Sequence, residues 1–307
     1  TPPSDVDVYV AHRPSEGDVK TVTAEGRCKL AVVPYAGIQP QSQAILRGHG
    51  MKVGNLHHNA GATAEMAMAL LLAASKLILP IDQEFRRNDW SSRGLPANPA
   101  TGEFEFKPTV LLSSGNLVIV GYGHLGKAVA RAALGIDMKV TGLRRSLKKG
   151  ESYEDGRVQV RSASDLLEVL RTADAVIVCC PGTKETEGLI GVRELSVMKS
   201  TSVLVNVGRG PVCDAKALYE ALKERRIFAA GIDAWYNYPK DYQARVNCPP
   251  SDYPFNELDN VVMSPHRGGA LGLQGIEHLR AAHLAHGLNC VAKNKPWPTL
   301  FDLDRGY

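Results

Sequence analysis

From residue 117 onward, short apolar segments alternate with segments of helical pattern. The apolar segments, which we expect to be strands, lie at 117–120, 139–143, 174–180, 201–207, 229–234 and 261–264. The helical patterns lie at 125–134, 163–172, 192–199, 214–226 and 272–293. Strands that alternate with helices form parallel sheets with helices on both faces, because each crossover returns the chain to the same edge. The sequence therefore predicts a doubly wound α/β domain.

The segment before residue 117 has a different pattern. Apolar runs predict three short strands at 7–10, 29–33 and 53–56. Ala and Leu occupy most faces of residues 62–87, which predicts one long helix, kinked at Pro80 and buried between domains or subunits. Residues 91–104 are rich in Pro, Gly, Asn and Ser, which predicts a linker or an exposed loop. Residues 236–259 are predicted to be a second irregular segment.

The composition excludes several classes of partner. The net charge is only +4 and the 36 basic residues are spread along the 307-residue chain, so we expect no surface dedicated to nucleic acid or to a membrane. No apolar run reaches the ~18 residues of a membrane-spanning helix. The six cysteines lack paired metal-ligand spacing, as do His57 and His58, so we expect no metal site, and free thiols in a reducing, cytoplasmic compartment. The first residue is Thr rather than Met, and the N-terminus is therefore expected to be processed, trimmed or internal.

A glycine-rich loop follows the strand at 117–120. Gly121, Gly123 and Gly126 have the G-x-G-x-x-G spacing between a strand and a helix, which is the context of a Rossmann dinucleotide loop. We expect Gly121 to permit the tight turn, Gly123 to let the backbone approach a pyrophosphate, and Gly126 to let helix and strand pack closely. The pyrophosphate would bind at the helix N-terminus, beside His124 and Leu125. The alternative is a glycine-rich turn without a ligand.

The end of the second strand indicates which dinucleotide is bound. An acid usually holds the ribose 2′-hydroxyl about 20 residues after the glycine loop. Here Arg144 stands at that place and Arg145 follows it. Two guanidinium groups can bind a 2′-phosphate through paired hydrogen bonds, so the sequence favours NADP(H) over NAD(H). The alternative is that both arginines are solvated loop charges.

These motifs and others downstream resemble the D-isomer-specific 2-hydroxyacid dehydrogenase family, which includes glyoxylate/hydroxypyruvate reductases, phosphoglycerate dehydrogenases and formate dehydrogenases. The resemblance is carried by GYGHLGKAVA, CCPGTKETEGLI, VNVGRGPVCDAKALYEAL, AAGIDAW and SPHRGG, with PYAGIQP at 34–40 and TAEMA at 63–67. It implies a homodimer, with a Rossmann dinucleotide-binding domain, expected at 89–285, inserted into a flavodoxin-like substrate domain, expected at 1–88 and completed by 286–307. The family's substrate domain begins with a further strand and helix, so this one is expected to be truncated at its N-terminus.

The same resemblance implies roles for particular residues. Arg209 would bind the substrate carboxylate and polarise the carbonyl, His266 would be the acid/base, and Asp233 would hold the nicotinamide amide. The backbone of a short loop would face the substrate carboxylate, at Ala36, Gly37 and Ile38. Further cofactor contacts are expected at Cys180, Pro181, Thr186, Val207, Gly208, Gly268 and Gly269.

One position departs from the family pattern. The family normally has Glu five residues after Asp233, paired with the histidine, and formate dehydrogenases have Gln; this chain has Tyr238 there. A phenol that is neutral at pH 7 cannot favour a charged imidazole as a carboxylate does, so His266 is expected to have a lower pKa than in relatives with Glu. Tyr238 can still orient the ring by a hydrogen bond. Substitution for the missing carboxylate by Asp241 or another acid remains open.

Three functions are compatible with these motifs. The first is an NADP(H)-dependent oxidoreductase that transfers hydride between nicotinamide and a small 2-oxoacid or D-2-hydroxyacid. The second is a dinucleotide-sensing binding protein, like the corepressors that resemble this family; the Tyr238 departure favours it, and the presence of Arg209 and His266 weighs against it. The third is a formate dehydrogenase-like enzyme. Asn59 lies six residues before Glu65, and formate dehydrogenases have a substrate-binding Asn at the matching distance, which favours this function.

Overall fold

The structure is a computed structural model that describes residues 2–93, 95–98, 103–105, 108–148, 151–270 and 272–307. Its strands are β1 (Val8–Val10), β2 (Leu30–Val33), β3 (Lys52–Asn55), β4 (Leu95–Asn98), β5 (Glu103–Glu105), β6 (Asn116–Val120), β7 (Lys139–Arg144), β8 (Ser152–Asp155), β9 (Val158–Ser162), β10 (Ala175–Val178), β11 (Val203–Asn206), β12 (Ala229–Ile232), β13 (Val261–Met263) and β14 (Leu300–Phe301). Its α-helices are α1 (Glu16–Thr23), α2 (Pro40–Gly48), α3 (Ala60–Ser75), α4 (Ile78–Phe85), α5 (His124–Leu134), α6 (Leu166–Leu170), α7 (Val192–Val197), α8 (Ala215–Lys223) and α9 (Gln274–Ala292).

The chain forms two compact units, one that extends to Gly61 and resumes at Gly269–Tyr307, and one at Ala62–Gly268. The boundaries expected from the sequence, after residues 88 and 285, fall inside these units. The physical reason is the burial of α3, whose Ala67, Leu70 and Leu71 lie in the same apolar core as residues of β6, β10 and β11. A helix that completes the core of a sheet belongs to the same unit as that sheet.

An eight-stranded sheet forms the centre of the unit Ala62–Gly268, in the order β13-β12-β11-β10-β6-β7-β9-β8. Its neighbouring strands are parallel except β8, which pairs antiparallel with β9. The predicted doubly wound α/β fold is therefore confirmed. The strand order reverses between β6 and β10, and a doubly wound sheet binds its ligands at the carboxyl ends of the strands beside such a reversal.

Two antiparallel pairs between strands that are consecutive in the chain are not predicted by the sequence. β8 and β9 lie in a charged segment after β7 and extend the sheet at its edge. β4 pairs with β5, which begins inside 91–104 and ends at residue 105, so the prediction of a linker or loop is wrong for residues 95–98 and 103–104. Residues 94 and 99–102 of the same segment lie outside the described residues. Proline and glycine content identifies turns, but it does not reveal which strand supplies the pairing partner.

The other unit contains a four-stranded sheet in the order β1-β2-β3-β14. The first three strands are parallel, β14 runs antiparallel beside β3, and α1 and α2 connect the parallel strands in a flavodoxin-like arrangement. The apolar pattern of the sequence does not predict α1 and α2, because both helices are short and largely polar. Ser15 caps α1 by accepting a hydrogen bond from the Asp18 N–H, and the core of this unit includes Val19, Val22 and Leu46.

The helix predicted over 62–87 is divided in two at Leu77. α3 ends at Ser75, Leu77 adopts a left-handed φ of 49°, and α4 turns away by 61°. In a continuous helix the ring of Pro80 would clash with the carbonyl four residues earlier, so the bend precedes the proline, which lies in the first turn of α4. Among the described residues no single helix is long and apolar enough to cross a membrane, and only the bent pair α3–α4 reaches that length and apolarity together.

The close approach of α3 to β12 gives a test of this packing. A Cβ at Gly231 would lie 2.7 Å from the Leu70 Cβ and 3.2 Å from the Leu70 backbone. We expect Gly231→Ala to reduce the free energy of unfolding by about 1–3 kcal/mol, because overpacking displaces buried atoms. Gly275→Ala is the matched control, since open space surrounds that position in α9. Urea unfolding followed by circular dichroism measures both variants, and equal stability would contradict the packing of α3 on β12.

Candidate active site

The glycine loop between β6 and α5 uses its three glycines in different ways. Gly121 has a φ of +102°, and a Cβ there would lie 2.7 Å from the backbone nitrogen of Cys180. A Cβ at Gly126 would clash with the Gly121 carbonyl oxygen and lie 3.1 Å from a side-chain atom of β6. Gly123 faces open space. Two of the glycines are thus required by the fold itself, and the third leaves the start of α5 accessible. The helix begins with an exposed and a half-buried residue, His124 and Leu125.

The residue between the first two glycines ties this loop to β8. The Tyr122 ring is buried against Gly142 of β7, and its hydroxyl donates a hydrogen bond to Asp155 Oδ2 at 3.1 Å. Lys127 Nζ lies 2.8 Å from the same oxygen. Burial, and then the Asp155 carboxylate, raises the pKa of Tyr122 to about 12, so this hydroxyl stays protonated. Sequence reasoning misses Asp155, because its place depends on a strand that the sequence does not predict.

Two exposed arginines lie at the carboxyl end of β7, the strand next to β6. Arg144 is the last residue of β7, and its Nη1 donates to the hydroxyl of Tyr153 in β8 at 3.1 Å. Arg145 forms an ion pair with Glu185, in the loop after β10. The structure therefore places both cations beside the strand that leads into the glycine loop.

The loop after β10 packs against the same glycine turn. The backbone nitrogen of Cys180 approaches Gly121, and its carbonyl oxygen lies 2.7 Å from the Cβ position of Gly208. Thr186 Oγ1 donates to the Pro181 carbonyl at 2.7 Å and accepts a backbone N–H at 2.8 Å, which closes the loop. These contacts bring the segments after β6, β10 and β11 together at one edge of the sheet.

The turn after β11 presents Arg209. Asn206, the buried last residue of β11, accepts the Gly208 N–H at 3.1 Å and donates to the Arg209 carbonyl at 3.0 Å. Arg209 is exposed, and its Nη1 donates to the Gly208 carbonyl at 2.8 Å. Val207, between Asn206 and Gly208, is buried. The family motifs do not point to Asn206. An Asn before a glycine-containing turn is nevertheless a usable signal, because its side chain bonds the backbone two residues on.

Asp233 fixes the turn after β13. The residue is buried and directly follows β12. Its Oδ1 accepts a hydrogen bond from the Ser264 hydroxyl and a second from the Arg267 N–H at 2.8 Å. Its Oδ2 accepts the Gly268 N–H at 2.9 Å. A buried carboxylate is tolerated only when such donors replace water. The carboxylate therefore holds the segment that carries His266, a contact that motif matching does not reveal.

His266 contacts the tyrosine that departs from the family pattern. His266 has a φ of +56°, and its Nδ1 lies 3.0 Å from the Tyr238 hydroxyl oxygen. The Trp235 N–H donates to that oxygen at 3.1 Å and occupies one of its lone pairs. The hydroxyl can still donate to Nδ1 of a neutral ring or accept from Nδ1–H of a charged one. Tyr238 can therefore orient the ring in either protonation state, as expected, without a charge that favours the imidazolium.

The surroundings favour the neutral ring. Partial burial of the ring is the largest influence and lowers the pKa of His266. The Asp233 carboxylate acts to raise that pKa, and the Arg209 charge lowers it further. Burial also raises the pKa of Tyr238, so the phenol stays neutral. Asp241, the acid considered as a substitute for the missing Glu, instead accepts the Ala244 N–H at 2.8 Å.

The predicted substrate loop lies in the other unit, directly after β2. Asn55 Nδ2 donates to the Ala36 carbonyl at 2.9 Å, and Gln43 Nε2 donates to the Ile38 carbonyl at 2.8 Å. Gly37, between them, is exposed. The two carbonyls are therefore fixed by side chains of β3 and α2, and the loop conformation is held from both sides.

Two further predicted residues, Asn59 and Gly269, also belong to this unit. Asn59 directly precedes α3 and is half-buried, and its Nδ2 lies 3.0 Å from the Cβ position of Gly269. The predicted site residues are thus divided, with the substrate-loop candidates in one unit and Arg209, Asp233 and His266 in the other.

The cysteines carry no chemistry that the motifs require. All six are free thiols, and burial raises the pKa of Cys180 to about 12. Burial likewise raises the pKa of Cys179 and of Cys213. A thiol that stays protonated is a poor nucleophile. Over the part of the chain that the structure describes, no group of three or more His, Cys, Asp or Glu side chains could hold a metal ion.

Comparison with known proteins identifies relatives along most of the chain. The family model for the D-isomer specific 2-hydroxyacid dehydrogenase, NAD binding domain, matches residues 68–268. A glyoxylate reductase from Thermococcus kodakarensis is 36% identical over 231 residues, which are 73% of this chain. The match covers 62% of that relative, so this chain spans less than two thirds of the relative's length. A glyoxylate reductase from Thermococcus onnurineus is 31% identical over 287 residues, which are 91% of this chain and 79% of that relative.

A solved structure agrees with the fold. The D-isomer specific 2-hydroxyacid dehydrogenase from Xanthobacter autotrophicus Py2, in complex with NADPH and MES, superposes with a TM-score of 0.77 at 22% identity, covering 100% of this chain and 87% of that one. At this identity the similarity concerns the fold alone. The family match and the curated relatives carry the assignment further: the chain belongs to the D-isomer-specific 2-hydroxyacid dehydrogenase family, with its NAD(P)-binding domain within residues 68–268.

Proposed function

We propose that the protein is an NADP(H)-dependent oxidoreductase that reduces small 2-oxoacids to D-2-hydroxyacids. The observation that carries the proposal is that a cation and a titratable imidazole, Arg209 and His266, follow the carboxyl ends of β11 and β13 in one parallel sheet. The turns that carry them are held by Asn206 and Asp233, and the Arg209 charge lowers the pKa of His266. Curated relatives named glyoxylate reductase support a small 2-oxoacid such as glyoxylate or hydroxypyruvate.

The residues at the glycine loop fit a dinucleotide. Gly123 leaves the N-terminus of α5 open to a pyrophosphate, and the backbone N–H groups there are suited to bind an anion. Arg144 and Arg145 supply the cations that a 2′-phosphate needs, Arg145 by exchanging its ion pair with Glu185 for the phosphate, and the last residue of β7 is an arginine rather than the usual acid. The bound nicotinamide supplies or accepts the hydride. A relative of the same fold is described in complex with NADPH, which agrees with this choice.

Each side chain then has a defined task. Arg209 exchanges its contact with the Gly208 carbonyl for the substrate carboxylate and polarises the adjacent carbonyl. His266, as imidazolium, delivers the Nε2 proton to the carbonyl oxygen, while Nδ1–H stays bonded to the Tyr238 hydroxyl oxygen. The remaining residues of the proposed site keep the roles that the family resemblance implies. Asp233 holds the nicotinamide amide, and the substrate contacts are Ala36, Gly37, Ile38 and Asn59.

The proposal is tested by following the absorbance of NADPH, and separately of NADH, on addition of glyoxylate, hydroxypyruvate and longer 2-oxoacids. We expect oxidation with a clear preference for NADPH. Replacing Arg144 and Arg145 with Ala should raise the KM for NADPH at least about tenfold and leave that for NADH unchanged, because even one hydrogen bond to a charged group contributes about 1.5–3 kcal/mol. Arg157→Ala, an exposed arginine in the β8–β9 turn, is the control.

The outcomes of this assay separate the alternatives. A preference for NADH would retain the oxidoreductase and contradict the assignment of the two arginines. Tight binding of NADPH without turnover of any 2-oxoacid would favour the dinucleotide sensor, which the neutral Tyr238 makes a genuine competitor. Reduction of NADP⁺ by formate, with no 2-hydroxyacid oxidised, would favour a formate dehydrogenase-like enzyme in which Asn59 binds the substrate.

The pH dependence follows from the lowered pKa of His266. Reduction needs the imidazolium, so kcat/KM for the 2-oxoacid should fall as pH rises through a pKa below the ordinary 6.5, and oxidation of the 2-hydroxyacid should fall as pH drops through it. Tyr238→Glu places a carboxylate beside Nδ1 and should move both profiles to higher pH by about one unit or more. Tyr242→Glu, in the same irregular segment but highly exposed, should not move them. NMR titration of His266 gives the pKa directly, and a profile that is flat well above neutrality would contradict the account.

We also propose a homodimer. Large apolar side chains are exposed on the consecutive helices α3 and α4 and just after them, at Leu72, Ile78, Leu79, Phe85 and Trp90. α4 has no buried residue, and an extended apolar face of this kind is unusual for a monomer. Light scattering should give about twice the chain mass of 33.2 kDa. Replacing both Ile78 and Phe85 with Glu should halve the measured mass. Leu300→Glu, at an exposed leucine of β14, should leave the mass unchanged. A monomeric wild type would contradict the proposal.

A further inference from the structure

The two arginines assigned to the 2′-phosphate are held by partners of different charge. Arg144 Nη1 donates to the hydroxyl of Tyr153 at 3.1 Å, and a phenol carries no charge at neutral pH. Arg145 instead forms an ion pair with the carboxylate of Glu185. The second cation therefore has a negative partner before any cofactor binds, and a 2′-phosphate has to compete with that partner.

A closed turn fixes the backbone that carries Glu185. The Thr183 carbonyl accepts the Thr186 N–H at 3.1 Å and the Glu187 N–H at 3.0 Å. The Thr183 N–H donates in turn to Thr186 Oγ1 at 2.8 Å. The start of the same loop packs on the glycine turn, since the backbone nitrogen of Cys180 lies 2.7 Å from the Cβ position of Gly121. The acid is therefore held beside the glycine loop.

The backbone that carries Arg145 is anchored to the same glycine loop. The Tyr122 N–H, inside that loop, donates to the Leu143 carbonyl of β7 at 2.8 Å. Leu143 is buried and lies two residues before Arg145. Both partners of the ion pair are thus attached to the loop at which we propose that the pyrophosphate binds. The ion pair therefore belongs to the proposed dinucleotide site.

This ion pair is weak enough to be exchanged. The exposed fraction is 37% for the Arg145 side chain and 69% for the Glu185 side chain, so water and salt screen the attraction. A phosphate accepts paired hydrogen bonds from a guanidinium and carries more negative charge than one carboxylate, so it can displace the acid. The displaced carboxylate then repels the phosphate. A cofactor without the 2′-phosphate avoids both costs.

We propose that Glu185 is a specificity-determining residue that limits the preference for NADPH over NADH. It acts as an internal counterion, which occupies Arg145 until the 2′-phosphate displaces it, whereas Tyr153 holds Arg144 without such competition. The inference rests on the proposed function and deepens it, because it names the residue that sets the ratio between the two cofactors. NADH leaves the ion pair intact and is expected to remain a usable cofactor.

Calorimetry with adenosine 2′,5′-bisphosphate and with 5′-AMP measures the phosphate contact without turnover. We expect Glu185→Gln to tighten binding of the bisphosphate about threefold to tenfold, because it removes both the competition and the repulsion. Binding of 5′-AMP should not change. In the reductase assay, the ratio of kcat/KM for NADPH to that for NADH should rise by a similar factor. Glu187→Gln, at an exposed acid of the same turn, is the matched control for the lost charge and should alter neither affinity.

A double-mutant cycle tests whether Glu185 acts through Arg145. With Arg145→Ala as the background, Glu185→Gln should change the affinity for the bisphosphate much less than it does in the wild type, because the competition for the guanidinium is gone. Equal tightening in both backgrounds would overturn the counterion role. Equal tightening by Glu187→Gln would overturn it as well, since the effect would then belong to net charge.

The same titrations separate this inference from the cofactor assignment on which it rests. If the wild type binds the bisphosphate no more tightly than 5′-AMP, and Arg145→Ala changes neither affinity, the 2′-phosphate contact and the role of Glu185 are both overturned. If the bisphosphate binds more tightly and depends on Arg145, while Glu185→Gln leaves its affinity unchanged or weakens it, the role of Glu185 alone is overturned and the preference for NADPH stands.

Discussion

The buried carboxylate of Asp233 is the contact on which the arrangement of the site depends most. It accepts one hydroxyl and two backbone N–H groups from residues 264–268, and so fixes the turn of His266 against the end of the neighbouring strand. Asn206 holds the turn of Arg209 through its amide in the same manner. The two side chains to which we assign the chemistry therefore project from turns whose backbone is held by a buried polar residue, which is the preorganisation that the proposed proton transfer and carboxylate binding require.

This arrangement separates the orientation of the histidine from its charge. In the family pattern one Glu beside the histidine does both; here Tyr238 can orient the ring and contributes no charge. Burial and Arg209 lower the pKa of His266, and the Asp233 carboxylate acts against them. The same carboxylate that positions the turn is thus also the nearby charge that favours the imidazolium. Under the proposed function, a lowered pKa of His266 favours carbonyl reduction under mildly acidic conditions and the reverse reaction at higher pH.

The sequence predicts the parts of the fold that depend on local pattern. Apolar runs and glycine spacing predict the parallel sheet and the loop, because strand period and tight turns are properties of adjacent residues. The break at Leu77, the pairing of β8 with β9 and the place of α3 in the core of the sheet depend on partners far along the chain. The site follows the same rule: motifs point to Arg209 and His266, whereas Asn206 and Asp155 act through hydrogen bonds across turns and strands that spacing does not encode.

The proposed function requires direct transfer of hydride from the nicotinamide to C2 of a 2-oxoacid, and transfer of a deuterium label measures this step itself. NADPH labelled with deuterium at C4, prepared separately in each stereochemical form, is incubated with hydroxypyruvate and the enzyme, and the product is analysed by mass spectrometry. We expect a D-2-hydroxyacid that carries deuterium at C2 from one form of the label only. Its formation should be slowed about a hundredfold or more in His266→Gln. Binding of NADPH with no transfer of label to any 2-oxoacid would contradict the proposed function.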